Sequence, residues 1–157
     1  MIRIGITGHR ALTPQVSELV ADLIRAHLAP YGCEMTGMSC LADGADALFA
    51  KTVVDTGAPL EVIVPAGEYR AGLPAEHRPT YDHLLEQAVL VHELPHTAST
   101  PQAHMAAGRF LVERCDQLVA VWDGEPARGP GGTADIVAHA RSRHKPVSVL
   151  WPAGVRR

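Results

Sequence analysis

The sequence predicts an α/β domain in three layers, with a mostly parallel sheet covered by helices on both faces. Short, continuous apolar runs alternate with segments of helical periodicity, as expected of strands buried on both faces and joined by crossover helices. Three of the runs end at glycine-bearing turns. At 157 residues the chain is long enough for one full hydrophobic core. No linker, repeat or low-complexity tail divides it, so residues 1–157 are expected to form a single domain.

The elements follow in order. Residues 2–6 form a first strand that ends at Thr7-Gly8-His9-Arg10. Thr13 is placed to cap a helix and Pro14 to open it. Val16, Leu19, Val20, Leu23, Ile24 and Leu28 then recur on one helical face to about residue 30. Residues 33–38 form a second strand, and residues 41–49 lead into a helix that stops near Thr56-Gly57. A third strand, 60–64, is closed by Pro65. Residues 67–79 read as a polar loop, longer than most connections and therefore a candidate lid. A helix over 80–88, a strand over 89–94, a loop over 96–102 and a helix over 103–115 come next. The chain closes with a strand over 118–122, a helix over 133–143 and a strand over 147–151.

Composition narrows the function classes. A hydrophobic content of 46% with 20% charged residues is that of a soluble globular protein. The formal charge of −3 lacks the basic excess of nucleic-acid binders, so no nucleic acid is expected as partner. No apolar run reaches the roughly 20 residues of a membrane span, and Met1-Ile-Arg-Ile4 is no signal peptide. No membrane association is therefore expected. Three cysteines without CxxC spacing fit a reduced, cytoplasmic protein. The nine histidines are dispersed without HExxH or a helical i, i+4 pair, and Pro95 breaks the His92/His96 spacing. Neither a metal nor a cofactor is expected.

In a parallel sheet, ligands bind beyond the carboxyl ends of the strands. That rule gathers three turns on one edge. In the first, Gly8 turns the backbone tightly, His9 follows, and Arg10 offers a planar fork to a phosphate. In the second, Gly44 permits close approach, while Ser39 and Asp46 are placed to bond phosphate or ribose hydroxyls. Asp43 or Asp46 also suits a helix N-terminus as cap and dipole partner. The third runs from Asp123, at the end of a buried strand, through Gly131-Gly132-Thr133 at the start of a helix. Backbone N–H groups and the helix end suit an anion there, and Asp123 suits a ribose hydroxyl. His104 and Arg109 are further candidate contacts, and Tyr69, Arg70 and Tyr81 are candidates to stack on a base.

These motifs, in this order, resemble the SLOG superfamily of Rossmann-like domains, which includes DprA/Smf, LOG-type phosphoribohydrolases and YpsA-like proteins. Ile4-Gly-Ile-Thr-Gly8-His-Arg10 looks like the DprA first-strand motif ending in Gly-x-Arg. The stretch from Gly37 to Asp46 looks like that family's Ser-Gly-x-Ala-x-Gly-x-Asp turn. Gly131-Gly-Thr133 is similar to a shortened LOG glycine loop, and Arg109 is placed like the arginine before the fifth strand. The resemblance implies a Rossmann-like fold, a nucleotide or other phosphate-bearing ligand, and a homo-oligomer.

LOG enzymes and the related nucleoside deoxyribosyltransferases keep a glutamate three residues after the loop threonine. Ile136 stands there in this chain. Asp135 is the neighbouring acid, about 100° away around the helix. The first expectation is therefore a nucleotide-binding domain, as a sensor or accessory protein. The alternative is an enzyme cleaving an N-glycosidic bond, with Asp135 or Glu68 as its acid, base or nucleophile. A DprA-like, DNA-associated module is the third, which the net charge disfavours.

Overall fold

The computed structural model describes residues 1–129 and 131–157. Among the described residues six strands and five α-helices alternate: β1 (Ile2–Gly8), α1 (Pro14–Leu28), β2 (Met35–Ser39), α2 (Ala45–Asp55), β3 (Leu60–Ala66) and α3 (Arg78–Glu86). β4 (Leu90–His96), α4 (Pro101–Arg114), β5 (Gln117–Val121), α5 (Thr133–Ser142) and β6 (Val147–Leu150) complete the chain. The predicted α/β architecture with a parallel sheet is the one observed. Every strand pair is parallel, in the order β4-β3-β2-β1-β5-β6.

Two apolar clusters sit on opposite faces of this sheet. Val20, Ile24, Leu28, Phe49, Val53 and Leu84 pack α1, α2 and α3 against Ile4, Ile6, Val62 and Val119. Ala107, Leu111, Ile136 and Ala140 pack α4 and α5 against Met38, Ile63 and Leu118. The alternation along single strands, as at Val62 and Ile63, follows from the two-residue period of a strand. The caps follow the sequence as well. The Thr13 hydroxyl accepts from the Val16 N–H at 3.3 Å, and the Thr100 hydroxyl from the Ala103 N–H at 3.1 Å.

The chain builds the sheet outward from β1 to β4, then crosses back to lay β5 against the free side of β1. The reversal falls between β1 and β5. Strands that diverge to opposite faces leave a crevice at their carboxyl ends, so this is where an open α/β sheet places a ligand.

Several boundaries differ from those read in the sequence. β3 runs through Pro65 to Ala66, and β4 through Pro95 to His96. Pro65 is tolerated because β2 stops pairing with β3 at Val62, and a register shift separates Val64 from Ala66 on the β4 side. Pro95 lies on an edge strand, where a missing N–H costs little. The candidate lid, residues 67–79, is a packed segment with two single-turn 3₁₀ helices, Arg70–Gly72 and Ala75–His77. Tyr69 and Leu73 are buried in the core beneath it. Arg70 pairs with Asp82 at 2.8 Å, and Arg78 bonds the Ala71 carbonyl at 2.8 Å.

Candidate functional site

A cavity of about 570 Å³ opens at the carboxyl ends of β1, β2 and β3 and at the N-terminus of α5. Its position is the β1/β5 crevice. Of the residues singled out in the sequence, Gly8, His9, Arg10, Asp46, Gly131, Gly132 and Thr133 line it. Tyr69 and His104 line it too, from the segment after β3 and from α4.

The other candidates lie elsewhere. Ser39 is fully buried and structural: its hydroxyl donates to the Asp46 carbonyl at 3.1 Å and accepts from the Leu41 N–H at 3.0 Å. Gly44 caps α2 at φ +87°, with no room for a Cβ against the His9 carbonyl. The Asp123 carboxylate lies 3.1 Å from His9 Nε2 and accepts from the Glu125 N–H at 3.0 Å. Arg109 is exposed on α4, and the lining residue there is its neighbour Gly108. On α5 the lining residues are Thr133, Ala134 and Ile136, the last two flanking Asp135. Ile136 is almost fully buried and its side chain fills the space beside Gly108, so it serves the α4–α5 contact. Glu68 is exposed and outside the lining. Arg70 is held by Asp82, and Tyr81 is buried against Tyr69.

The floor of the cavity is built around His9. Its N–H donates to the Val121 carbonyl at 3.0 Å, and its own carbonyl accepts from the Ala45 N–H at 3.2 Å. The ring is 5% exposed and edge-on to Trp151. Nε2 lies 3.1 Å from Asp123 Oδ1 and equally far from the Asp123 N–H, while Nδ1 lies 2.8 Å from Arg157 Nη1 and 3.4 Å from Thr133 Oγ1. A neutral imidazole carries one proton, and a guanidinium only donates. Nε2 therefore meets an acceptor, Asp123 Oδ1, and a donor, the Asp123 N–H, while Arg157 Nη1 lies within 3.5 Å of both ring nitrogens. A proton on Nε2 faces the carboxylate and leaves the lone pair on Nδ1, and the other tautomer accepts the Asp123 N–H. Burial lowers the His9 pKa, against the raising effect of Asp123. Burial would raise the Asp123 pKa, but the Glu125 N–H and His9 together hold it below the usual carboxylate value.

One wall carries Arg10, whose guanidinium contacts Asp43 at 2.8 Å. The other Asp43 oxygen accepts from the Ala11 N–H at 3.0 Å. The predicted phosphate fork is thus partly engaged by an acid 33 residues away. Asp46 stands beside this pair without a cation of its own. Its Oδ2 accepts from the Ala42 N–H at 3.3 Å, and burial pushes the carboxyl up to about 7. A carboxyl poised there can donate or accept a proton at neutral pH.

The opposite wall is the start of α5. Gly132 caps the helix without a side-chain hydrogen bond, unlike Thr13 on α1 and Thr100 on α4. Gly131, at φ +81°, lets the backbone pass the Pro101 carbonyl and Met105 too closely for a side chain. Arg128 and Arg157 add positive charge, opposed by Glu125 and Asp46. Arg128, Arg157 and the wall residue Cys40 carry no signal as site residues in the sequence, whereas His9, Asp123 and Thr133 do, though not as residues in contact with one another. Among the described residues, no group of three or more His, Cys, Asp or Glu side chains is arranged to hold a metal ion.

No protein-family model matches the sequence, and no curated protein matches it. Solved structures do. DNA processing protein A from Helicobacter pylori, described with a single-stranded DNA binding mode, matches at TM-score 0.70 and 17% identity, over 99% of this chain and 66% of that one. DNA processing protein A (DprA) from Streptococcus pneumoniae matches at 0.71 and 16%, over 98% and 52%. The molybdenum cofactor binding protein from Rippkaea orientalis matches at 0.63 and 16%, over 95% and 76%. The chain spans less than two thirds of the length of the two DNA processing proteins. The likeness is one of fold. The molecule has a Rossmann-like α/β fold. No described helix is long and apolar enough to cross a membrane.

Proposed function

We propose that the cavity binds a phosphate-bearing small molecule of the nucleotide type, with its phosphate at the N-terminus of α5. The observation that carries this reading is the α5 N-terminus: it opens into the cavity and lacks a side-chain cap. The earliest N–H groups of a helix lack intrahelical acceptors and the helix dipole favours an anion there, while in α5 the Asp135 N–H donates to the Gly132 carbonyl at 3.1 Å. Arg128, Arg157 and the free edge of Arg10 supply charge-assisted donors. From α5 the cavity crosses the ends of β1, β2 and β3, two strand spacings or about 10 Å, which leaves room for a sugar and base beyond the phosphate. Tyr69 and Asp46 lie at the far end, where a base would sit.

Gly8, His9, Gly131, Gly132 and Thr133 then form the phosphate end, with Ser39, Gly44 and Asp123 holding the walls in place. Arg109 and Asp135 have no part in this arrangement. Titration calorimetry with AMP, other nucleoside monophosphates and inorganic phosphate tests the reading. Binding that weakens at least fivefold in Arg128→Ala supports it; no binding of any of these ligands by the intact chain overturns it.

A second reading, cleavage of an N-glycosidic bond, is favoured by one observation. Asp46 lines the cavity with a carboxyl that is half protonated near pH 7. It is better placed than Asp135 to hand a proton to a departing base. Chromatography of nucleoside monophosphates after incubation separates the readings: free base that disappears in Asp46→Asn supports cleavage. Retention of single-stranded DNA that falls with salt would instead favour a DNA-associated role.

A further inference from the structure

We propose that Thr133, His9 and Asp123 form a nucleophile, base and orienting carboxylate that transfer a phosphoryl group from a phosphate monoester to Thr133 Oγ1 and then to water. The proposal rests on the anion site at the α5 N-terminus and adds a reaction to it.

The three side chains come from three places that the fold brings together. His9 ends β1, Asp123 follows β5 and Thr133 opens α5. Asp123 Oδ1 is 3.1 Å from His9 Nε2, and Thr133 Oγ1 is 3.4 Å from His9 Nδ1. The reaction uses the tautomer with the proton on Nε2, in which the Asp123 carboxylate holds that proton and the Nδ1 lone pair faces the threonine hydroxyl. That is the order required of an activated hydroxyl: nucleophile to base, base to orienter. The base distance is loose, as such contacts commonly are before substrate arrives. His9 is anchored by its backbone to Val121 and Ala45, so the ring is positioned by the sheet itself.

The neighbouring groups fit the electrophile. The first-turn N–H groups of α5 face the position of a phosphoryl oxygen held near Thr133 and stabilise charge developing there. Arg157 occupies the Nδ1 side at 2.8 Å. A dianionic phosphate is a far stronger partner for a guanidinium than a neutral imidazole is. Its arrival draws Arg157 onto the phosphoryl oxygens and releases Nδ1 to Thr133. Burial, more than any neighbouring charge, keeps the His9 pKa low, so the ring is a neutral base at pH 7.

In the first step the Thr133 proton passes to Nδ1 as Oγ1 attacks phosphorus. The P–O bond to the leaving alcohol breaks, and the imidazolium returns the proton to that oxygen. In the second step water attacks the phosphothreonine with Nδ1 taking its proton. Oγ1 leaves, recovers the proton, and inorganic phosphate is released. Ester and water are consumed; alcohol and phosphate are produced.

The test uses p-nitrophenyl phosphate with the intact chain, beside calorimetry with inorganic phosphate. The expected result is p-nitrophenolate release with a mass gain of one phosphoryl group on the peptide holding Thr133. Thr133→Val abolishes both, Thr133→Ser retains both, and His9→Gln lowers the rate by about 10²- to 10⁴-fold. The rate also declines at acid pH, below the ordinary histidine value, as His9 takes up a proton. Phosphate binding without p-nitrophenolate release overturns this proposal and leaves the binding reading standing. Equal release by Thr133→Val overturns it as well. Failure to bind inorganic phosphate at all overturns the anion site, and the proposal falls with it.

Discussion

A Cβ placed on Gly44 would stand 2.5 Å from the carbonyl oxygen of His9. Gly44 sits at φ +87° and ψ −132°, a region open essentially to glycine. The same close approach lets Ala45 donate to that carbonyl, tying α2 to the end of β1. Gly44→Ala therefore carries both backbone strain and a clash with rigid backbone. We expect a stability loss of about 2–4 kcal/mol in urea denaturation, from strain and overpacking together. Anion affinity should fall as well, because the His9 ring moves with its carbonyl. Wild-type stability in this variant would show that the turn relaxes freely.

Glu61 is 6% exposed on β3 and bonds both outer nitrogens of Arg3 at 2.9 Å. His92 Nε2 adds a third contact at 3.0 Å. Burial would raise the Glu61 pKa, but His92 and Arg3 hold it lowered. Arg3→Ala leaves an ionised carboxylate with one weak partner. Breaking a buried pair costs about 3–5 kcal/mol, and the partial exposure of Arg3 reduces this to about 2 kcal/mol. Arg3→Ala with Glu61→Gln should recover most of the loss, because no uncompensated charge remains. A double variant no more stable than Arg3→Ala would remove the electrostatic explanation.

Much of this architecture is legible in the sequence, because its determinants are local. Helical periodicity in α1, the Thr13 cap and the glycine turns after β1 and β2 act over a few residues. Strand ends are less legible. Whether Pro65 ends β3 depends on what β2 offers at that level, which is a property of the partner strand. The contacts within the site are least legible. Arg10 finds Asp43 33 residues away, and His9 meets Asp123 114 residues away, only after the sheet is assembled. A residue type suited to a ligand, such as Asp123 or Ser39, is equally suited to hold the wall behind it.

The Asp43–Arg10 pair offers a way to separate wall from ligand. Burial would raise the Asp43 pKa, yet the Arg10 hydrogen bond and charge, with the Ala11 N–H, hold it lowered. Its contribution to stability is therefore present above its unfolded pKa and lost as pH falls through the lower folded value. Asp43→Asn should cost about 1 kcal/mol at pH 7, since Arg10 is nearly half exposed and the pair is screened. At the same time it frees a guanidinium edge and removes a negative charge from the cavity. Calorimetry should show inorganic phosphate binding two- to tenfold tighter. Weaker binding would mean that Asp43 orients Arg10 for the ligand.

Asp46 makes the opposite prediction. Its folded pKa, about 7, lies above the ordinary 3.8, because burial disfavours the charged form and the Ala42 N–H only partly offsets this. A raised carboxyl contributes stability fully present below its unfolded pKa and lost as pH rises through the folded one. Above pH 7 the folded protein carries an ionised Asp46 without a paired cation. An asparagine keeps an acceptor for the Ala42 N–H and never ionises. Asp46→Asn should therefore match wild type near pH 4 and exceed it at pH 8, by about 2 kcal/mol once partial exposure is allowed for. Denaturation at the two pH values measures the difference directly. A gain that is the same at both would show that Asp46 is ionised throughout, and would withdraw it as a proton donor in the cavity.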